Sequence, residues 1–77
     1  MPLPDVVPAD SVTDACRVVG FEFVERIFYE AAKEAKFPNP KDRGMALHRL
    51  WCREGYKSLP DWVKDFVLRV NNREVYF

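Results

Sequence analysis

The sequence holds few of the residues from which recognisable functional motifs are built. Its three glycines, at positions 20, 44 and 55, lie too far apart to form a glycine-rich phosphate loop. Two cysteines and one histidine, with no Cys-x-x-Cys pair, do not supply the usual ligands of a structural zinc site. No apolar run approaches the ~18 residues that a membrane span needs. These shortages exclude phosphate-loop proteins, zinc fingers and membrane-spanning proteins.

Excess positive charge and a secretion signal are also lacking. The 12 basic residues equal the 12 acidic ones, and the pI of about 6.6 is low, whereas nucleic-acid-binding domains commonly exceed ~9. The first residues contain neither the basic region nor the apolar core of a signal peptide. We therefore expect a cytoplasmic protein without cofactor or metal, in which Cys16 and Cys52 are reduced thiols.

The chain does have enough apolar residues to fold. Hydrophobic residues make up 48% of its 77 residues, and this composition together with zero net charge favours collapse over disorder. A chain this short has room for one domain, and no segment shows the alternating pattern of a strand. We predict an all-α single small domain with an extended arm at 1–8, a short tail at 73–77 and four short helices at about 10–19, 21–36, 40–54 and 60–71.

Residues that end or start helices set these boundaries. The apolar stripe changes phase at Gly20, and glycine commonly ends a helix. Asn39 and Pro40 form the N-cap and first position of a third helix. Gly55 ends that helix, and Pro60 opens the fourth.

The third helix is apolar on two sides. One face carries Leu47, Leu50 and Trp51, and another carries Met45, His48 and Cys52. A helix that is apolar over much of its circumference is usually packed on two sides. We therefore predict that the third helix is central and that His48 and Cys52 are core residues.

The spacing of His48 and Cys52 also allows two chemical interpretations. Residues four apart share a helix face, as paired metal ligands or a cysteine nucleophile and its base do. Cys16 would supply only a third metal ligand, and neither an orienting group nor an oxyanion hole is indicated. We therefore predict that the protein is not an enzyme and holds no metal.

The third and fourth helices invite a helix-turn-helix interpretation. Against it, the connection from Glu54 to Pro60 is longer than the usual ~3–4 residues, and the exposed charges of the fourth helix cancel. Four basic residues remain as possible phosphate contacts: Arg43, Arg49, Arg53 and Lys57. The alternative function is therefore a DNA-associated transcriptional regulator that uses the basic third helix or modulates a nucleoid protein.

Part of the C-terminal half resembles a known family. The segments His48-Arg49-Leu50 and Tyr56-Lys57-Ser58-Leu59-Pro60, followed by Val63, Phe66 and Val67, are similar to the end of the Hha/YmoA family. The resemblance implies a small four-helix bacterial protein that binds and modulates nucleoid-associated repressors. It covers a minor part of the chain and needs a gap before Tyr56, so we do not use it to assign the family.

Large apolar residues outside the predicted core favour a role in protein contact. Tyr29 and Leu68 project from the polar faces of the second and fourth helices, and Val75, Tyr76 and Phe77 end the chain. Gathered aromatic residues are typical anchors of protein interfaces. We predict a non-enzymatic protein-binding module, such as an adaptor, inhibitor or regulatory subunit that docks on a larger protein. Small regulators encoded by mobile elements are one class of this kind.

Charge is divided unevenly along the chain. Residues 1–38 carry seven acidic and four basic side chains, and residues 39–77 carry five acidic and eight basic ones. Such a division fits attraction between two halves of one fold or association of two copies. A homodimer is therefore a further candidate assembly.

Overall fold

A computed structural model describes residues 8–75, and this part of the chain contains helices and no strand. The helices are α1 (Val12–Val19), α2 (Phe21–Glu34), α3 (Pro40–Glu54) and α4 (Asp61–Asn71), with one 3-10 turn at Tyr56–Ser58. The prediction of an all-α fold with four short helices is confirmed, and each boundary falls within about two residues of its predicted place. Most of the predicted N-terminal arm lies outside the described residues.

Glycines follow α1 and α3 as the sequence predicts, and a serine precedes α1. The hydroxyl oxygen of Ser11 accepts a hydrogen bond from the backbone N–H of Asp14 at 3.2 Å, which makes Ser11 the N-cap of α1. Gly20 and Gly55 follow α1 and α3 with φ angles of +92° and +88°. With their extended ψ angles, both lie in a region that is open essentially to glycine alone.

Helix α2 ends two residues earlier than predicted because the chain turns without a glycine. Lys36 has a φ of 63°, which is the left-handed conformation. The N–H of Phe37 donates to the carbonyl of Ala32, and the N–H of Lys36 donates to that of Lys33. These are the two hydrogen bonds of a Schellman motif, which closes the helix at Glu34.

Helix α2, and not α3, is the central helix. It packs against α1, α3 and α4, because its buried residues cover two adjacent faces. Val24 and Phe28 belong to a core cluster that also holds Val12, Ala15, Leu47, Trp51, Leu59 and Val63. Ile27 and Ala31 belong to a second cluster with Phe66, Val67 and Val70. The prediction of a central third helix is wrong.

Two contacts fix α3 to the rest of the fold. Gly44 is buried where α3 crosses α2, and a Cβ atom at this position would lie 3.0 Å from the backbone nitrogen of Tyr29. Near its other end, the indole nitrogen of Trp51 donates a hydrogen bond to the carbonyl oxygen of Ala9. The chain before α1 is therefore attached to the end of α3.

Several residues lie differently from their prediction. Cys52 is exposed and Cys16 is half-buried, so the prediction that Cys52 is a core residue is wrong. Val75 is half-buried and packs against the second core cluster, so the expectation that the tail stays away from the core is wrong for this residue. Cys52 is exposed because no helix within residues 8–75 covers the second apolar side of α3 at that point.

Candidate functional site

A groove lies between α2 and α3. Its volume is about 380 Å³, and it is lined by Glu22, Glu25, Arg26 and Tyr29 of α2 and by Lys41, Gly44, Met45, His48 and Arg49 of α3. On each helix these residues recur at spacings of three and four, which place them on one helix face. The groove is therefore formed by two complete helix faces that no other described helix covers.

The close approach of the two helices sets the floor of this groove. Gly44 has no side chain, and its Cα faces the backbone of Phe28 and Tyr29. A Cβ would lie 3.2 Å from the carbonyl carbon of Phe28, which is tighter than ordinary van der Waals contact. The glycine therefore lets the helices cross closely, and larger side chains stand on both sides of the crossing.

Exposed apolar side chains gather at this groove. Tyr29 and Met45 line it from opposite helices, with 36% and 48% of their surface exposed. Phe21 is 52% exposed, and its ring meets the ring of His48 edge-on with centroids 5.7 Å apart. Such side chains lose unfavourable contact with water when a partner covers them. The groove thus offers an apolar centre for contact.

His48 connects the groove to the core. Its ring is also edge-on to the buried ring of Phe28, with centroids 6.0 Å apart. Its Nε2 atom is buried and has no hydrogen-bond partner among the described residues. The residue is half-buried overall, in agreement with its position between Phe28 below and Phe21 beside the groove.

The two walls of the groove carry opposite unpaired charges. Glu22 and Glu25 lie on α2, and Lys41 and Arg49 lie on α3. No ion pair within residues 8–75 involves any of these four side chains. Arg26, also on the α2 wall, is instead 3.4 Å from the carboxylate of Glu30. The free charges are therefore acidic on α2 and basic on α3.

The structure separates the predicted protein-contact residues. Tyr29 lies in the groove, whereas Leu68 is 50% exposed on α4, which contributes no residue to the groove. Val75 packs on the second core cluster. Tyr76 and Phe77 lie outside the described residues.

The predicted basic contacts do not share one surface. Arg49 lines the groove, whereas the guanidinium of Arg43 lies 4.5 Å from the ring centre of Phe37 and borders a different depression. Arg53 is paired with its neighbour Glu54 at 3.2 Å. Lys57 lies beyond α3, in the 3-10 turn. Arg49 and Arg53 are one helical turn apart on α3, but Arg43 and Lys57 lie in other surroundings, so the structure does not bring all four residues to one face.

The two residues with shifted pKa values lie away from the groove. Burial raises the pKa of Tyr56, which packs against both core clusters. A hydrogen bond to Glu34 raises the pKa of Arg69, and this pair joins α4 to α2 at 2.7 Å. Both shifts arise from structural contacts, and neither group lines the groove.

The lining of the groove combines apolar and charged side chains. Its lining residues include one imidazole but no serine, threonine or cysteine that could act as a nucleophile. Across residues 8–75, no three His, Cys, Asp or Glu side chains are grouped so that they could hold a metal ion. The arrangement of an apolar centre between charged walls resembles the composition of a protein interface.

Most residues that line the groove were not predicted from the sequence as contact residues. Tyr29 was expected to be exposed, but His48 was assigned to the core, on the same apolar face of the third helix as Met45. The second apolar side of α3 was the sequence signal for the groove. In the structure, Met45 on this side belongs to neither core cluster. The prediction assumed that a helix of the same chain covers every apolar side of α3. An apolar side can instead remain exposed.

No family model, no curated protein and no solved structure matches the chain.

Among the described residues, every helix is too short or too polar to cross a membrane.

Proposed function

We propose that this chain is a non-enzymatic protein-binding module, an adaptor, inhibitor or regulatory subunit, that docks on a larger protein through the α2–α3 groove. The observation that carries this proposal is the position of Tyr29 and Met45, two large exposed side chains that face one groove from two helices. Scattered exposed apolar residues are normal on a protein surface, but a concentrated group marks an interaction site.

The composition of the groove supports a protein as the ligand. Tyrosine and methionine are enriched in protein interfaces, and methionine adapts its shape to different partners. The charged residues lie at the walls, where they favour specific orientation and fast association more than affinity. A small folded chain without a reactive centre is suited to act by such contact.

The DNA-associated alternative has less support. Non-specific DNA binding depends on several basic side chains that neutralise neighbouring phosphates. Arg43 lies over the ring of Phe37, away from Arg49 in the groove, and Arg53 already has an acidic neighbour within 3.2 Å. The separation of these residues favours the protein-binding function.

Photo-crosslinking in the native cell tests the proposal and does not require an identified partner. Benzoylphenylalanine replaces Met45 in one variant and Leu68 in the other, which are 48% and 50% exposed. The matched exposure makes Leu68 the control for random collisions. We expect a discrete crosslinked protein from position 45 and none from position 68.

Substitution provides a second arm of this experiment. Met45→Glu introduces a charge at the apolar centre of the groove, and Leu68→Glu does the same on α4. We expect both variants to melt close to the wild type, because both sites are exposed, and only Met45→Glu to lose the partner by at least ~tenfold in affinity. Crosslinks from position 68 alone, or equal binding by both variants, would place the contact surface outside the groove.

A further inference from the structure

We infer that the partner enters the groove as one amphipathic helix, with basic side chains facing α2 and acidic side chains facing α3. This inference rests on the proposed function and specifies the chemistry of the partner at the same site. Three properties of the groove carry it: the spacing of its lining residues, its length and the charges of its walls.

The spacing of the lining residues suits a helix. Glu22, Glu25, Arg26 and Tyr29 occupy positions i, i+3, i+4 and i+7, and the α3 residues follow the same pattern. This is the periodicity with which one helix packs against another. A peptide that binds by adding a strand needs a sheet edge, and residues 8–75 contain no strand.

The groove has the length of a short helical segment. Its lining runs from Glu22 to Tyr29 and from Lys41 to Arg49, about two helical turns or ~12 Å on each helix. Over this length, a third helix presents two or three inward side chains. The exposed parts of Tyr29 and Met45 flank the positions where those side chains would fit, above Gly44.

The charges fix which flank of the partner faces which wall. Glu22 and Glu25 have no partner of their own within the described chain, and neither have Lys41 and Arg49. A helix with one basic flank and one acidic flank satisfies both walls. A helix with two flanks of the same sign would place like charges together at one wall, which disfavours association.

A second copy of this chain fits the groove less well. A two-fold axis parallel to the helices would set α2 of one copy over α3 of the other, so acidic and basic walls would meet. In that arrangement helices would lie over helices, and no helix would enter either groove. A single helix can lie in the groove itself at the ~8–10 Å interaxial distances of packed helices.

Selection from a displayed library of helical peptides tests this inference. The full chain is the target, and the Met45→Glu variant is used for counter-selection. We expect enriched peptides with apolar residues at spacings of three and four, Lys or Arg on one flank and Asp or Glu on the other. Peptides that lack the helical stripe or the opposite flanks, or that bind Met45→Glu equally, would overturn the inference, as would a selection that enriches no peptide.

A charge-reversal variant tests the walls directly. Glu22→Lys combined with Glu25→Lys makes both walls basic, and both side chains are exposed. We expect an enriched peptide to bind this variant at least ~tenfold more weakly, and a peptide whose basic flank is changed to Glu to recover most of the loss. Equal binding by both proteins would show that the α2 wall does not contribute, which contradicts the inference.

These experiments separate the inference from the proposed function. A crosslink from position 45 together with peptides of the wrong pattern would keep the protein-binding function and reject the helical partner. Sedimentation equilibrium of the wild type and of Met45→Glu tests whether a second copy of the chain occupies the groove. A wild-type dimer that Met45→Glu dissociates would identify the occupant as a second copy and would overturn the inference.

Discussion

His48 occupies two environments, since its ring packs on Phe28 of the core while it also lines the groove. Its Nε2 atom is buried without a hydrogen-bond partner in the described chain. A buried polar atom that loses its solvation without a replacement destabilises a fold by about 1–3 kcal/mol. We therefore expect the imidazole to lower the stability of the fold.

We expect His48→Phe to raise the free energy of unfolding by about 1 kcal/mol, because it removes the unpaired nitrogen and keeps the edge-on contacts with Phe21 and Phe28. Urea denaturation at neutral pH measures the change. His48→Ala is the control, and it should lower stability because it removes the ring contacts as well. A His48→Phe variant less stable than the wild type would show that the nitrogen is satisfied in solution.

Exposure could be predicted for some residues and not for others. Tyr29 and Leu68 were placed on polar helix faces by their phase, and both are exposed. Met45 and Cys52 are exposed too, although their apolar neighbours suggested burial. Helical phase shows which residues share a face, but it does not show whether another helix covers that face.

At the scale of the helices, the ends could be predicted better than the packing. Ser11, Gly20 and Gly55 lie at helix ends because their side chains, or the absence of one, suit the local backbone. The end of α2 was missed because Lys36 adopts the left-handed conformation that usually marks a glycine. The order of packing depends on contacts between distant segments, which local signals do not contain.

The close crossing of α2 and α3 at Gly44 determines how a larger residue at this position affects stability. Alanine in place of glycine inside a helix normally adds about 1 kcal/mol of stability. At position 44 the new Cβ would meet the backbone of Tyr29 and Phe28, at 3.0 and 3.2 Å, and backbone atoms cannot rotate away. We expect Gly44→Ala to lower the free energy of unfolding by about 1 kcal/mol, because overpacking outweighs the gain in helix propensity.

Thermal and urea unfolding measure the effect of Gly44→Ala. Ala46→Gly is the matched control on an exposed position of the same helix, and its loss should equal the propensity term alone. An increase in stability for Gly44→Ala would mean that the two helices separate at little cost. The groove of this variant would then have a larger volume than the 380 Å³ of the wild type.

At the scale of the whole molecule, the division of charge is partly used within the fold. Arg69 of the basic half pairs with Glu34 of the acidic half at 2.7 Å and also lies 3.0 Å from Asp65. The same division recurs at the groove, where the α2 wall is acidic and the α3 wall is basic. The two halves of the chain therefore attract each other at the Glu34–Arg69 pair. The charges on the groove walls remain available to a partner.

The dispersion of the basic residues leads to a prediction about DNA. We expect no appreciable binding to a random-sequence duplex at physiological salt, because the 12 basic side chains are balanced by 12 acidic ones and the four candidate contacts do not all lie on one face. Fluorescence anisotropy with micromolar protein measures this, with a basic DNA-binding domain as the positive control. A complex whose affinity falls steeply with salt would instead favour the DNA-associated regulator.

The hydrogen bond between Trp51 and Ala9 restricts the evolution of the two positions unequally. At position 51 the donor is a side-chain N–H, so the hydrogen bond depends on which amino acid is present. At position 9 the acceptor is a backbone carbonyl, which every amino acid provides. Loss of the tryptophan therefore has no compensating substitution at its partner. Position 9 can drift within the limits of its packing, so the two sites need not covary although they are in direct contact.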